Sequence, residues 1–198
     1  MIFISNVYVD PTAVIDKEVK LGKGTKIWHF VHIMKDAIIG KDCVIADYVY
    51  VGKGVKIGNN VKIENRATIF EGVTIDDNAF VGPHVVFTND LYPRSIKPNW
   101  KIFPTFVKKG CSLGAGSVIV CGVTIGEYAM IGAGSVVTKD VPPFSLNYGN
   151  PSRVRGFICS CGKKFKKVKK TEKNVLMECS DCKQICEISI DDFNMIYE

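Results

Sequence analysis

Large apolar residues recur at every sixth position of the chain, without a break, from Val9 to Phe87. A smaller residue precedes each of them by two positions, and the same pair of positions resumes over residues 105–137. Residues two apart on a strand point to the same side, so each hexad predicts a very short strand with two inward side chains, followed by a turn. A period of six fits neither an α-helix nor a coiled coil.

Turn-forming residues stand between these short strands. Gly, Asn and Asp accept the positive φ that tight corners need. They occupy Gly40, Gly52, Gly58, Asn59, Asn60, Asp77 and Asn78. Three hexads close one triangular coil, so residues 18 apart in the sequence stack at the strand spacing of ~4.8 Å. The repeat therefore predicts an all-β parallel β-helix of roughly six or seven coils.

The bulk composition limits the class of protein. A chain of 198 residues is long enough for one domain and a small appendage. No apolar run approaches the ~18 residues of a membrane helix. The N-terminal stretch MIFISNVYVDPTAVID has no basic leader followed by an apolar run. We therefore expect no signal peptide and a cytoplasmic protein.

The six-residue repeat resembles that of the hexapeptide-repeat acyltransferases over about residues 5–157. The resemblance implies a left-handed parallel β-helix, a homotrimer and acetyl-CoA as the co-substrate. We expect a β-helix acetyltransferase domain over residues 1–157, with a protruding loop at 89–104. A Cys-rich, zinc-ribbon-like tail is expected over residues 158–198.

Stacking by 18 residues gathers polar and aromatic side chains along one corner of the β-helix. Trp28, Phe30 and Tyr48 are costly to expose without a partner surface. We interpret this corner as a subunit interface or ligand cleft, with a solvated edge as the alternative. With two residues of the loop, the predicted substrate-binding residues are Trp28, His29, Asp47, Tyr48, Glu64, Asn65, Arg66, Asp90 and Arg94.

The stretch NDLYPRSIKPNWKIFP, residues 89–104, interrupts the repeat. It contains three prolines and the aromatic residues Tyr92, Trp100 and Phe103. A loop of this length in so regular a fold is more often functional than a tolerated insertion. We therefore expect the loop to take part in function.

Three segments carry a closer resemblance: KIWHFVHI (26–33), GPHVVFTNDLYPRS (82–95) and VCGVTIGEYAMIGAGSVVTKDVP (120–142). They are similar to N-acetyltransferases of 3-amino nucleotide sugars, which include enzymes that make UDP-2,3-diacetamido-2,3-dideoxyglucuronate or dTDP-3-acetamido-3,6-dideoxyhexoses. We expect UDP-2-acetamido-3-amino-2,3-dideoxyglucuronate as the substrate, with a dTDP-3-amino-3,6-dideoxyhexose as the alternative. Arg94 or Arg66 is available for the carboxylate, or for the pyrophosphate.

Hexapeptide O-acetyltransferases commonly carry a catalytic histidine on the extended loop, where this chain has Asn89 and Asp90. A hydroxyl nucleophile needs a general base. A sugar amine is closer to an α-amino group, whose pKa of about 7.7–8.0 leaves a useful neutral fraction near pH 7. We predict that Asn89 holds the amine, and that positioning and oxyanion stabilisation drive catalysis. His84 is the second catalytic candidate, either as a base or as a group that orients Asn89 or the sugar.

The stretch IGAGSVVTKDVPPFSLNYGNPSRVRG (131–156) resembles the ending of hexapeptide acyltransferases, whose last coils carry the pantetheine and adenylate of coenzyme A. Glycine backbone allows a ligand to approach closely. Basic side chains in this stretch can meet phosphates. The resemblance implies acetyl-CoA contacts at Gly114, Ala129, Gly132, Lys139, Asn150 and Arg153.

Five of the eight cysteines lie in the tail. In a cytosolic chain, such a cluster predicts metal ligands before disulfides. The pairs Cys159-x-Cys161 and Cys179-x-x-Cys182 resemble the knuckles of a zinc ribbon, in which four thiolates hold Zn²⁺. The first pair departs from the usual two-residue spacing, so Cys186 is a possible substitute ligand and a metal-free tail is the alternative.

The tail and the body differ in what their cysteines predict. A tail of about 40 residues cannot bury enough core to fold without a cross-link such as a bound metal or a disulfide. Its segments FKKVKK and VLMEC alternate as the strands of a hairpin do. Cys43 and Cys111 instead stand at small inward positions of the repeat, which predicts inert core residues.

Two other classes of protein are possible on this fold. A zinc carbonic anhydrase uses three histidines at a subunit interface. This chain has three, His29, His32 and His84, but coil arithmetic keeps them apart within one subunit. A nucleic-acid-binding scaffold would use the Lys-rich tail. We do not expect that partner, because the lysines fit a solvated hairpin face without base-stacking aromatics beyond Phe165.

Overall fold

The structure, a computed structural model, describes residues 2–4, 6–96 and 101–197. Strands of mostly two or three residues wind into a parallel β-solenoid of about 8 turns, which confirms the predicted all-β parallel β-helix. In chain order the strands are β1 (Ile2–Ile4), β2 (Val7–Val9), β3 (Val14–Ile15), β4 (Lys20–Leu21), β5 (Lys26–Ile27), β6 (His32–Ile33), β7 (Ile38–Ile39), β8 (Val44–Ile45), β9 (Tyr50–Val51), β10 (Lys56–Ile57), β11 (Lys62–Ile63), β12 (Thr68–Ile69), β13 (Val73–Ile75), β14 (Phe80–Val81), β15 (Val86–Phe87), β16 (Thr105–Val107), β17 (Ser112–Leu113), β18 (Val118–Ile119), β19 (Thr124–Ile125), β20 (Met130–Ile131), β21 (Val136–Val137), β22 (Ser145–Gly149) and β23 (Ser152–Phe157).

These strands form three faces. The first runs β1-β2-β5-β8-β11-β14-β17-β20-β22-β23, the second β4-β7-β10-β13-β16-β19, and the third β3-β6-β9-β12-β15-β18-β21. At the two ends of the first face, β1 and β23 run antiparallel to their neighbours. The predicted count of six or seven coils is too low, because β22, which follows the last hexad, pairs in parallel with β20 and extends the first face.

The register of the strands confirms the stacking rule. Lys26 pairs with Val44, 18 residues later. Across the insertion Phe80 pairs with Ser112, 32 residues later. The loop therefore leaves the solenoid after β15, returns at β16, and does not shift the register of the faces.

The inward positions predicted from the repeat form one continuous core. Ile27, Ile63 and Ile131 are at most 1% exposed. Four predicted inward residues of the first coil are only partly buried: Ala13, Ile15, Val19 and Leu21. The reason is their position, since β3 and β4 end their faces and no described strand covers them.

Two cysteines of the solenoid occupy this core. Cys43 and Cys111 are both buried. Burial raises the pKa of the Cys43 thiol above its ordinary value and that of Cys111 to about 12. Both thiols are therefore protonated core groups, which agrees with the inert role expected of them.

The tail is a three-stranded antiparallel sheet of β24 (Phe165–Lys170), β25 (Asn174–Cys179) and β26 (Ile185–Ser189), followed by a helix, α1 (Ile190–Asn194), and a 3-10 turn, η1 (Met195–Tyr197). The predicted hairpin is confirmed as β24 and β25, whereas β26 and α1 were not predicted. A second core cluster joins the tail to β23 through Phe157 and Phe165. No helix of the described residues has the length and apolar character to cross a membrane.

Candidate active site

Consecutive coils stack at the predicted corner through backbone hydrogen bonds. In each of three coils an N–H at the corner donates to a carbonyl 19 residues earlier at 2.9 Å, which confirms the coil arithmetic. The pairs are Tyr48 with His29, Arg66 with Asp47, and His84 with Asn65.

Bulky residues occupy left-handed backbone at this corner. Phe30, Tyr48, Arg66 and His84 have φ of 55°, 59°, 61° and 58°. Side chains with a Cβ adopt this region at a cost, and such strain clusters at functional sites. The same corner of a later coil uses Gly116, with φ of 67°. Four large side chains therefore stand where the backbone favours glycine, as Tyr128 and Phe144 do at another corner with φ of 56° and 57°.

Five of the predicted substrate-binding residues surround one open pocket beside the corner. Trp28 and His29 lie next to Asp47 along the strand ends of the first face. The Asp47 carboxylate accepts a hydrogen bond from the His29 backbone N–H at 3.1 Å. The predicted residues that line the pocket are Trp28, His29, Asp47, Glu64 and Asn65.

An aromatic and cationic ladder lies on the other side of the corner. The rings of Phe30 and Tyr48 stack with centroids 5.0 Å apart. The Arg66 guanidinium lies 5.1 Å from the centre of the Tyr48 ring. Phe30 and Tyr48 are 53% and 51% exposed, so this ladder presents a large apolar surface to a partner or ligand.

Sequence reasoning missed Asp10, which orients His29. The Asp10 carboxylate lies 3.0 Å from His29 Nδ1 and is 6% exposed. The N–H and hydroxyl of Thr12 donate to its Oδ1 at 2.9 and 2.6 Å, and the Tyr8 hydroxyl donates to its Oδ2 at 3.3 Å. Hydrogen bonds from the Thr12 hydroxyl and N–H, with His29 nearby, hold the pKa of Asp10 below its ordinary value. A signal was available, since Asp10 stands one coil before Trp28 in the same stacking row.

The loop begins one corner further along the coil. Asn89 is half-buried, and its backbone carbonyl accepts a hydrogen bond from the Phe103 N–H at 3.4 Å. His84 and Asn89 stand at opposite ends of β15, and no hydrogen bond joins their side chains among the described residues. Tyr92 is 68% exposed, whereas Trp100 lies outside the described residues.

Two predicted loop ligands make local contacts. The Asp90 carboxylate accepts the Tyr92 N–H at 2.8 Å, and the Arg94 guanidinium donates to the Pro93 carbonyl at 2.8 Å. Arg94 is exposed, so its guanidinium can also reach a ligand. The structure does not bring Asp90 or Arg94 to the corner pocket.

A second pocket lies at the last coil. Lys139 and Arg153, both predicted to contact acetyl-CoA, line it together with Asp140, Asn147, Ser152 and Met195. Lys139 follows β21 and Arg153 belongs to β23, and both line this one site, which the sequence spacing alone did not show.

Four other predicted acetyl-CoA contacts stand elsewhere. Ala129 is fully buried in the solenoid core, its N–H donates to the Gly126 carbonyl and its carbonyl accepts the Ser112 N–H. It precedes Ile131 by two positions, which is the inward position of the repeat.

The glycines of this region are explained by packing between coils. A Cβ at Gly114 would lie 2.5 Å from the Ala133 nitrogen, and one at Gly132 would lie 2.8 Å from Tyr148 Cβ. Asn150 is exposed in the turn between β22 and β23. None of these three residues lines the pocket of Lys139.

The tail brings four cysteines together. The sulfur atoms of Cys159, Cys161, Cys179 and Cys182 all lie within 4.8 Å of one another. Cys159 and Cys182 are 3.5 Å apart, as are Cys161 and Cys179, which is too long for disulfides. Cys186 lies outside this set. The structure thus brings the four predicted ligands together without Cys186.

The pKa of the Cys179 thiol is lowered, which favours its ionised form. Burial opposes the charge, but backbone N–H groups of Asp181 and Cys182 outweigh it and lower the pKa of Cys179 to about 6. A thiolate is the form in which cysteine binds a metal. The cluster is therefore a candidate metal centre.

Among the described residues, the histidines form no such centre within one chain. His29 contacts Asp10, whereas His32 contacts Asp16 with Nε2 and Oδ1 3.5 Å apart. Each is therefore engaged with a different carboxylate.

The coil and its repeat define the class of protein, a hexapeptide-repeat acyltransferase. The family model described as bacterial transferase hexapeptide (six repeats) matches residues 104–139, and that described as the GMPPB C-terminal domain matches residues 27–90.

A curated relative identifies the family. The dTDP-3-amino-3,6-dideoxy-alpha-D-galactopyranose 3-N-acetyltransferase of Aneurinibacillus thermoaerophilus is 52% identical over 159 residues, which cover 80% of this chain and 82% of that protein. The chain belongs to the hexapeptide-repeat nucleotide-sugar N-acetyltransferases.

Solved structures share the fold. AntD, an N-acyltransferase from Bacillus cereus solved with dTDP and coenzyme A, is 22% identical with a TM-score of 0.54, over 77% of this chain and 81% of that one. GDP-perosamine N-acetyltransferase from Caulobacter crescentus, solved with CoA and GDP-perosamine, is 23% identical with a TM-score of 0.52, over 76% and 56%.

Proposed function

We propose that this enzyme transfers the acetyl group of acetyl-CoA to the 3-amino group of a dTDP-linked 3-amino-3,6-dideoxyhexose. The observation that carries the proposal is the 52% identity, over 80% of the chain, to an enzyme named for a dTDP-3-amino-3,6-dideoxygalactopyranose. The relatives give no such support to the expected UDP-linked glucuronate, so we propose the dTDP-linked hexose, the alternative substrate, instead.

The change of substrate changes the role of two arginines. A 6-deoxy sugar has no carboxylate, so Arg66 and Arg94 have no carboxylate to bind. Guanidinium groups also recognise phosphate oxygens. Arg66, held over the Tyr48 ring, is suited to the pyrophosphate of the nucleotide sugar. Trp28, in the corner pocket and 38% exposed, offers a flat surface for stacking.

The reaction needs a positioned amine. The lone pair of the sugar nitrogen attacks the thioester carbonyl, a C–N bond forms, and the C–S bond breaks as coenzyme A leaves. The nitrogen loses one proton, and the departing thiolate takes one up. Asn89 holds the amine near the thioester, and His84 relays the proton or orients the sugar. A neutral amine needs no strong base, so positioning supplies most of the rate.

The experiment that tests this function is acetyl transfer to matched acceptors. A dTDP-3-amino-3,6-dideoxyhexose is compared with the dTDP-6-deoxyhexose that carries a 3-hydroxyl. We expect coenzyme A release and a new amide at the 3-position with the amine, and no turnover with the hydroxyl. Equal acetylation of both acceptors would contradict N-acetylation as the function.

We also propose a homotrimer whose active sites lie between subunits. Support comes from the exposed ladder of Phe30 and Tyr48, which needs a covering surface. His84 and Asn89 stand on successive corners, so neighbouring subunits are needed to bring such corners to one site. Light scattering at the assay concentration tests this, and a monomer would refute it.

The tail, residues 158–198, is proposed to bind Zn²⁺ through Cys159, Cys161, Cys179 and Cys182. Four thiolates at ~2.3 Å from zinc form a tetrahedron with edges of about 3.8 Å. The sulfur separations of 3.5 Å fit such edges. Metal analysis of the purified protein tests this, with about one zinc per chain expected.

A further inference from the structure

The pocket at the last coil contains one residue of the tail. Lys139 and Arg153 belong to the β-helix and to β23, whereas Met195 comes from η1 at the far end of the chain. The tail is thus part of the wall of a pocket with two positive charges.

The polar groups of this pocket fit an anion. Lys139 and Arg153 face one acid, Asp140, whose Oδ1 already accepts the Thr124 N–H at 2.7 Å. The Ser152 hydroxyl is buried and has no hydrogen-bond partner among the described residues. Buried hydroxyls are nearly always paired, and Ser152 lines the same pocket as the two cations, so its unpaired hydroxyl fits a ligand with oxygen acceptors. A phosphate group has this chemistry.

Packing connects the cysteine cluster to Met195. Phe157 of β23 stacks on Phe193 of α1, with ring centroids 6.0 Å apart and planes at 8°. Both rings belong to the core cluster that contains Cys159 and Cys179. The segment from α1 to Met195 therefore depends on a core that includes two of the four candidate metal ligands.

We propose that a metal ion bound by the cysteine cluster holds Met195 against the β-helix, so that the tail completes the pocket of Lys139 and Arg153, where the family resemblance implies contacts with acetyl-CoA. The inference rests on the proposed function and extends it, because the tail then belongs to the co-substrate site. Loss of the metal frees Met195 and opens the pocket to water, which weakens the attraction between the basic side chains and the phosphate.

Calorimetric binding of coenzyme A and of dTDP to the purified enzyme tests the role of Met195. Met195→Ala is compared with Met195→Leu, which keeps an apolar side chain of similar volume. We expect Met195→Ala to weaken coenzyme A binding about tenfold, Met195→Leu to bind near wild type, and dTDP binding to stay unchanged. Unchanged coenzyme A binding in Met195→Ala would overturn the proposal, as would a selective loss of dTDP binding, which would assign the pocket to the nucleotide sugar.

The role of the metal is tested on the same two ligands. Chelated enzyme and the double variant Cys179→Ser, Cys182→Ser are compared with Cys186→Ser, which changes a tail cysteine outside the cluster. We expect the metal-free forms to lose coenzyme A affinity by the same factor as Met195→Ala and to keep dTDP affinity. Coenzyme A binding that is independent of metal content would refute the coupling.

These measurements separate two failures. Binding is measured without acetyl transfer, so an enzyme that acetylates no 3-amino sugar refutes the proposed function. Such an enzyme can still lose coenzyme A affinity with Met195→Ala, which would support the pocket.

Discussion

The β-helix and the cysteine tail obtain their stability in different ways. In the β-helix one core runs along the solenoid, and each coil buries its inward side chains against the coils above and below. The tail has three strands and one short helix, and it shares its core cluster with β23. So small a unit needs a staple to offset chain entropy. Repetition therefore stabilises the body, whereas the tail relies on the strand it packs against and, in the proposed zinc site, on a bound metal.

A matched pair of core isoleucines gives the largest expected difference in unfolding between the body and the tail. Ile63 in the body is 1% exposed and Ile188 in the tail is 3% exposed. Truncation of a buried isoleucine to alanine costs about 2–5 kcal/mol. Trp28 belongs to the body and the tail sequence contains no tryptophan, so tryptophan fluorescence follows the unfolding of the body. We expect Ile63→Ala to lower the tryptophan unfolding midpoint and Ile188→Ala to leave it near wild type. Equal shifts would mean that body and tail unfold as one unit.

The chemistry is assigned to the body, and Asn89 tests that assignment. We expect Asn89→Ala to lower kcat/KM about 100-fold, because a misplaced amine loses the positioning contribution. His84→Ala is expected to cost less, since the amine needs little help from a base. Asn60→Ala, at a corner outside both pockets, is the control. A loss for His84→Ala of about 10²–10⁴-fold would instead make His84 the general base, and a near-normal Asn89→Ala would refute the mechanism.

Removal of the metal by chelation is expected to change amide hydrogen exchange in the tail and to leave it unchanged in the solenoid. Without metal, we expect the amides of β24, β25 and β26 to exchange rapidly, because their core is too small to persist. The amides of the solenoid should keep their protection. Hydrogen exchange followed by mass spectrometry measures both regions in one sample. Loss of protection throughout the solenoid would show that the tail supports the body.

A smaller effect is expected at Asp10. Asp10→Asn keeps the shape but weakens the contact that orients His29. We expect a several-fold rise in the KM for the nucleotide sugar and little change in kcat, since this pair lies at the corner pocket and away from the loop. Asp16→Asn, which faces His32, is the control. A fall in kcat with unchanged KM would give His29 a role in the chemical step.

The same carboxylate predicts an acid dependence of stability. The pKa of Asp10 is lowered in the folded protein, so its ionised form stabilises the fold above the pKa of the unfolded chain, near 3.9. That contribution is lost as the pH falls through the lower, folded pKa. We expect the stability of Asp10→Asn to vary less than that of wild type below about pH 4. Identical acid unfolding curves would contradict this.

The period of six made the solenoid predictable, because one regular signal fixes both the inward positions and the stacking of corners. Hence Trp28, His29 and Asp47 were placed together before any contact was known. Asp10 was missed although it obeys the same rule, since a single acid beside a proline looks like an ordinary turn. The burial of Ala129 follows from the repeat as well, because it stands at the small inward position two residues before Ile131.

The tail was harder to predict. Its cysteine spacing predicted the four cysteines that the structure brings together, and alternation predicted the hairpin of β24 and β25. Nothing periodic marks β26 or α1, although Ser189 accepts the Asp192 N–H as a helix cap. The approach of Met195 to Lys139 joins residues 56 positions apart and depends on tertiary packing alone.

The choice between UDP and dTDP substrates tests the central claim most directly. Equal concentrations of a UDP-linked 3-amino-glucuronate and a dTDP-3-amino-3,6-dideoxyhexose are offered together with limiting acetyl-CoA, and the two acetylated products are measured by mass spectrometry. Their ratio gives the ratio of kcat/KM values. We predict that the dTDP-linked product dominates. Predominance of the UDP-linked product would contradict the assignment of substrate, and absence of both products would contradict the function itself.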